Sequence, residues 1–138
     1  MISGFILSIL MTSHVIADTM LLPVYGGKIL SIDDKSKTAK TGILIRPTSD
    51  FSVRSCTDGK VQSVWQTKSG WCSMINSNDT LFTYAQMDTV LVNPGWFVSK
   101  GELIGERKLI ANDYNSIIFI VLKGNRELDP ENFIIYSK

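Results

Sequence analysis

Beyond residue 40, apolar and polar positions alternate in short runs cut by turn residues. Phe51-Ser52-Val53-Arg54-Ser55 alternates strictly and Lys60-Val61-Gln62-Ser63-Val64-Trp65 does so again, while Gly42-Ile43-Leu44-Ile45 is a short buried run. Trp71 to Ile75, Leu81 to Ala85, Thr89 to Val92 and Ser116 to Leu122 continue the series. Between them lie Thr57-Asp58-Gly59, read as a tight reversal, then Lys68-Ser69-Gly70, Asn76-Ser77-Asn78-Asp79 and Asn93-Pro94-Gly95. No window carries helical periodicity long enough for a helix. Strands spaced about ten residues apart predict one all-β domain, an antiparallel sandwich or partly closed barrel, without linker or solenoid repeat.

The first residues read differently. Ile2 to Ala17 holds no charged side chain and is apolar apart from small hydroxyl residues and His14; it ends in Val15-Ile16-Ala17 and turns polar at Asp18. That is the pattern of a secretory signal over residues 1–17, leaving a mature domain over 18–138, although no Lys or Arg stands near the start. An uncleaved anchor and an ordinary buried element are the alternatives. A run of about 16 apolar residues falls short of the roughly 20 that a membrane span needs, so no stable span is expected after cleavage. Export to the periplasm or the extracellular space follows from this reading.

Composition narrows the chemistry further. The chain has 138 residues, 44% hydrophobic and 20% charged, which suits one globular domain with a real core and excludes a disordered tail. Lys and Arg number 14 against 13 Asp and Glu, with no run of like charge, so nothing marks a nucleic acid or an anionic membrane as partner. The one histidine, His14, falls in the expected leader, which leaves no imidazole for a zinc site, a general base or a phosphohistidine carrier. Cys56 and Cys72 could form a disulfide in an oxidising compartment, worth roughly 3 kcal/mol by loop closure, or stand as two separate buried thiols. Their spacing is not that of a zinc knuckle. Asp33-Asp34 and Asn78-Asp79 read as solvated turns rather than as a calcium site. No metal and no cofactor is expected.

Two later segments say more. From Val92 to Gly105, the run Asn93-Pro94-Gly95, Val98, Lys100-Gly101 and Ile104-Gly105 has the hairpin grammar of hybrid-motif barrels. Biotinyl and lipoyl carriers, sugar-phosphotransfer domains and lysostaphin-type peptidases share that grammar. No carrier lysine and no reactive histidine is present. Phe119 to Pro130, followed by Glu131-Asn132-Phe133-Ile134, resembles the closing strand and terminal Asp-Pro turn of the lysostaphin-type (LytM-type) zinc peptidases. Leu22-Pro23-Val24-Tyr25-Gly26 is similar to their opening, Thr41-Gly42-Ile43 to the first core strand, Val53 to Val61 to the Asp-Gly-x-Val element, and Phe82-Thr83-Tyr84-Ala85 to the central strand. The resemblance covers about Leu22 to Ile134 and implies the duplicated hybrid motif fold of that family.

It also implies where a zinc site would lie. Active members of the family bind zinc through a histidine and an aspartate four residues apart and through the second histidine of an H-x-H, leaving one position for water. At the matching positions this chain has Lys40, Leu44 and Ile118, with Ser116 at the first place of H-x-H and Gln86 where the central strand carries a catalytic histidine. Leucine and isoleucine have no lone pair, and a protonated lysine repels a cation. Zinc hydrolysis is not expected. Lys40, Gln86 and Ser116 either line an open groove or leave it closed by Leu44 and Ile118. Trp96 and Phe97 follow a turn, where they either face a binding partner or fold over the barrel end; one of Trp65 and Trp71 is expected to pack in the core. The expected function is binding. A regulatory or scaffolding module acting on an envelope protein, such as a cell-wall amidase, is the first reading, and a non-hydrolytic peptidoglycan-binding domain is the alternative.

Overall fold

In the computed structural model the described residues are 20–30, 42–48, 50–107, 116–124, 126–128 and 134–135; the expected leader, Asp33-Asp34 and Lys40 lie outside them. The alternating runs form the longest strands: β5 (Gly59–Thr67), β6 (Gly70–Ser77), β7 (Thr80–Met87) and β11 (Ile117–Lys123). Shorter ones are β1 (Met20–Leu21), β2 (Lys28–Leu30), β3 (Ile43–Arg46), β4 (Ser52–Arg54), β8 (Thr89–Val90), β9 (Phe97–Val98), β10 (Leu103–Glu106), β12 (Arg126–Leu128) and β13 (Ile134–Ile135).

Strands β2, β3, β11, β7, β6, β5 and β9 lie side by side in that order in one large antiparallel sheet, and β12 pairs with β11. A smaller sheet runs β4, β10, β8, and β1 pairs with β13 in parallel. Period-two alternation sends Ile43, Ile45, Ile75, Phe82, Tyr84, Ile117, Phe119 and Val121 of the large sheet into one cluster with Val53 and Ile104 of the small one. Phe119 anchors it, with the Phe82 ring stacked at 6.3 Å and the Tyr84 ring tilted at 5.2 Å. Burying such a side chain is worth about 1.5–3 kcal/mol, which makes this cluster the main source of stability. The all-β architecture of antiparallel sheets is the one the alternation predicts; the parallel pair of β1 and β13 is an addition to it.

Three turns form as expected, the Lys68-Ser69 link between β5 and β6 among them, and one does not. Asn78 and Asp79 both have positive φ, 51° and 67°, the geometry of a type I′ turn matched to the twist of β6 and β7. Asn93 to Trp96 closes another, with Gly95 at φ 94° and the Trp96 N–H donating to the Asn93 carbonyl at 3.2 Å. Asp58-Gly59, by contrast, is no hairpin: β4 pairs with β10 in the small sheet while β5 enters the large one. The glycine serves close approach instead, since a Cβ there would stand 2.7 Å from the Asn76 carbonyl oxygen. Asp58 accepts the Lys100 N–H at 2.7 Å.

Candidate functional site

The large sheet has a second face, turned away from the core, and the residues that alternate with the core positions line it. Leu44 of β3 stands opposite Ile118 of β11, and Ile118 stands opposite Ala85 of β7, so three half-buried apolar side chains form a row across three strands. Two residues along each strand, Ile120, Thr83 and Met74 form the next row; two further on come Leu122, Leu81, Asn76 and Lys60. Ser116 continues this face in front of Ile118. It is 2% exposed, and its Oγ has no hydrogen-bond partner among the described residues.

Gln86 reaches the same neighbourhood through a β-bulge. Trp71 pairs with Met87 and Ser73 with Tyr84, so β7 places Ala85 and Gln86 where β6 offers Cys72 alone. The extra residue is accommodated by Gln86 at φ 70°, and Met87 returns to the core fully buried. Gln86 also bonds the Cys72 thiol through its backbone; burial pushes that thiol's pKa up and the bond opposes the shift. Leu44, Gln86, Ser116 and Ile118 are therefore gathered on three adjacent strands. Lys40 lies outside the described residues.

Cys56 and Cys72 stand as two buried thiols, and the bridge that the sequence left open does not join them. Cys56 belongs to the core cluster, where Tyr84 donates its hydroxyl to the Sγ at 3.1 Å and accepts the Cys56 N–H at 3.0 Å. Cys72 sits on β6 opposite Trp65, outside that cluster. Burial, the largest influence, pushes the Cys56 thiol up to about 12.

Trp96 and Phe97 are brought somewhere else. Phe97 pairs with Lys60 at the β5 edge, in the row four residues along β11 from Ile118, roughly 13 Å at strand rise. Trp96 is 50% exposed and Phe97 77%, with the Lys60 ammonium 5.6 Å from the Phe97 ring centre. Beside them opens a cavity of about 570 Å³ lined by Lys60, Val61, Gln62, Asn76 and Gly95. Of the two tryptophans flanking the Lys68-Ser69 turn, Trp71 packs against the core and Trp65 is 37% exposed. Sequence reasoning missed the Lys60, Gln62 and Asn76 group. Those residues converge through a register shift between Val61 and Ser63, which no periodicity reveals.

Zinc does not fit the gathered group. The two described positions where the resemblance would put ligands hold Leu44 and Ile118, which have no lone pair, Ala85 beside them has none either, and the polar neighbours are a carboxamide and one hydroxyl. Among the described residues no three His, Cys, Asp or Glu side chains stand close enough to hold a metal ion, and no helix is long and apolar enough to cross a membrane.

Solved structures share the fold. A chain of the SpoIIQ–SpoIIIAH pore-forming complex superposes with a TM-score of 0.69 at 17% identity, covering 86% of this chain and 92% of that one. Helicobacter pylori Csd3 also gives 0.69, at 22% identity over 86% of this chain, but only 35% of Csd3 is matched. The catalytic domain of the prophage-encoded M23 protein EnpA from Enterococcus faecalis gives 0.62 at 16% identity, over 76% of this chain and 89% of that domain. No curated protein matches the chain by sequence. The profile of Peptidase family M23 matches residues 38–130, two thirds of the sequence, across every strand of the large sheet but β2 and across the Leu44, Gln86, Ser116 and Ile118 group, and the chain therefore belongs to that family.

Proposed function

We propose that this member of the M23 family is a non-catalytic, exported envelope protein that works as a regulatory or scaffolding module through contact with another protein. One observation carries the reading: Leu44 and Ile118, at two of the positions where the family resemblance puts metal ligands, stand opposite each other in an apolar row that Ala85 extends. Among the described residues no group of three His, Cys, Asp or Glu side chains could hold a metal ion in their place, and the sequence has no histidine beyond His14. A site that can neither polarise a peptide carbonyl nor lower the pKa of water does not hydrolyse peptides by the family's route. The SpoIIQ–SpoIIIAH complex supports the partner class by example, because there a chain of this fold is found in an assembly of two proteins. An envelope protein, a cell-wall amidase among them, is the partner proposed here.

The test is incubation of the full chain with purified peptidoglycan sacculi and zinc, followed by sedimentation. The expected result is no release of soluble muropeptides, with the protein left in the supernatant. Muropeptide release would overturn the non-catalytic reading. Pelleting that is lost in Gln86→Ala but kept in Trp96→Ala would replace protein contact by peptidoglycan binding in the former groove.

A further inference from the structure

Strand β5 is paired with β6 along almost its whole length, but its other side is only partly covered. There β9 takes Gly59 and Lys60, and Gly95 and Trp96 take the Val61 backbone: the Gly95 N–H donates to the Val61 carbonyl at 2.8 Å and the Val61 N–H to the Trp96 carbonyl at 2.7 Å. From Gln62 to Thr67 the outer side has no ladder partner among the described residues. Thr67 and Gly70 close a two-residue hairpin and exchange their bonds within it, so by alternation the N–H and C=O groups of Val64 and Gln66 point away from β6. Exposed sheet edges are commonly blunted by charge or proline along the strand. Here Val61 to Thr67 carries neither, and Trp65 stands 37% exposed in its middle, while Val64 packs against the core and holds the edge in place.

Charge lies only at the two ends, as Lys60 and Lys68. A second copy of the chain pairing antiparallel about Val64 would bring Lys60 of one copy beside Lys68 of the other, which is repulsive. An incoming strand with acidic ends meets no such cost. The 570 Å³ cavity sits at the start of the open stretch and has the same preference. In it the Asn76 Oδ1 already accepts the Asp79 N–H at 3.1 Å, and the Asn76 Nδ2 donates to the Gln62 Oε1, also at 3.1 Å. Each carboxamide oxygen thus already accepts one hydrogen bond from within the protein. What is left over are donors: the Gln62 Nε2, which meets only the weakly accepting Met74 Sδ at 3.8 Å, and the Lys60 ammonium, which has no carboxylate partner among the described residues.

We propose that the open edge of β5 captures an extended strand of a partner protein by antiparallel backbone pairing at Val64 and Gln66, with an acidic residue at the strand's carboxyl end seated against Lys60 and Gln62. The inference rests on the protein-contact reading above and gives that contact a place. Pairing antiparallel, as β6 and β9 do, the strand runs from Thr67 toward Gln62 and its carboxyl end reaches the cavity. Backbone bonds would supply affinity, and Trp65 and the Lys60 cavity the selectivity.

The probe is a fluorescein-labelled hexapeptide alternating threonine and valine and ending in glutamate, compared with its lysine-ended counterpart by anisotropy and amide hydrogen exchange on the full chain. The expected result is at least tenfold tighter binding of the glutamate peptide, with exchange at the Val64 and Gln66 amides slowed fivefold or more. Gln66→Pro removes an outward N–H at an exposed edge position and should weaken binding at least tenfold with an unchanged circular dichroism spectrum. Lys60→Glu should reverse the preference between the peptides. Equal or absent binding of the two peptides, protection elsewhere, insensitivity to Gln66→Pro, or a concentration-dependent dimer protecting the same amides would each overturn the proposal. Those failures leave the sacculus experiment untouched, whereas muropeptide release there would overturn the non-catalytic reading on which this one rests.

Discussion

The Tyr84 hydroxyl sits fully buried between the Cys56 thiol and the Cys56 N–H, and both bonds join the large sheet to the chain leaving β4. Tyr84→Phe keeps the ring against Phe119 and removes the two bonds; it should lower stability by about 1–3 kcal/mol, read from the urea midpoint at constant slope. The same pair sets a pH dependence. Burial raises the Cys56 thiol from 9.0 to about 12 and the Tyr84 hydroxyl well above its ordinary value. Both groups hold their protons more tightly folded than unfolded. Their contribution is therefore complete below pH 9 and is lost as pH climbs from 9 toward 12, by up to about 1.4 kcal/mol per unit for the thiol. Thermal melts across that window should show a falling midpoint, with a shallower fall in Cys56→Ala; a midpoint independent of pH up to 11 would contradict this. The pairing was not legible in the sequence, because 28 residues separate the partners and neither motif nor period links them. The half-burial of Leu44 and Ile118 was not legible either, because Gly42 to Ile45 reads as a continuous buried run and Ile117 to Leu122 is apolar throughout, so the phase appears only in the structure.

Among elements, the two long hairpins repeat what their residues say. Asn78 and Asp79 occupy the two positive-φ positions of the β6–β7 turn, and Asp79 at φ 67° carries a strain that glycine would not. Asp79→Gly should raise stability by about 0.5 kcal/mol and Asp79→Val lower it by about 1–2 kcal/mol, with opposite shifts of the urea midpoint. Sequence reasoning placed these turns because the residues that tolerate left-handed backbone are few. It misread Asp58-Gly59 because the same residue types also serve where backbone approaches backbone closely, as Gly59 does against Asn76. It was blind to the pairing of β1 with β13, where two-residue strands meet from opposite ends of the chain. The bulge at Gln86 was equally hidden. An extra residue in β7 is visible only against the register of β6, and that register is set by the whole ladder from Ser77–Thr80 onward.

At the scale of the molecule, the large sheet has the family's fold, and on the proposed reading its outer face carries methyl groups where active members hold donor atoms. If the apolar row truly occupies the ligand positions, the scaffold should still hold zinc when donors are put back. Lys40→His, Leu44→Asp and Ile118→His together restore three ligands and leave a fourth position open. Without metal the triple variant should be less stable than the parent by about 1–3 kcal/mol, because an unpaired carboxylate replaces Leu44 in the half-buried row beside position 118. With metal the loss should reverse, since an ion that binds only the folded state adds roughly 2.7 kcal/mol at a hundredfold excess over its dissociation constant. Melting curves with zinc and with a chelator decide the matter. A zinc-dependent rise in the variant and none in the parent would mean that this fold lost its chemistry by side-chain replacement alone. A well-folded variant indifferent to zinc would mean that the strands meeting at Leu44 and Ile118 no longer converge on a common point, and that the face has been reshaped for contact as well as stripped of ligands.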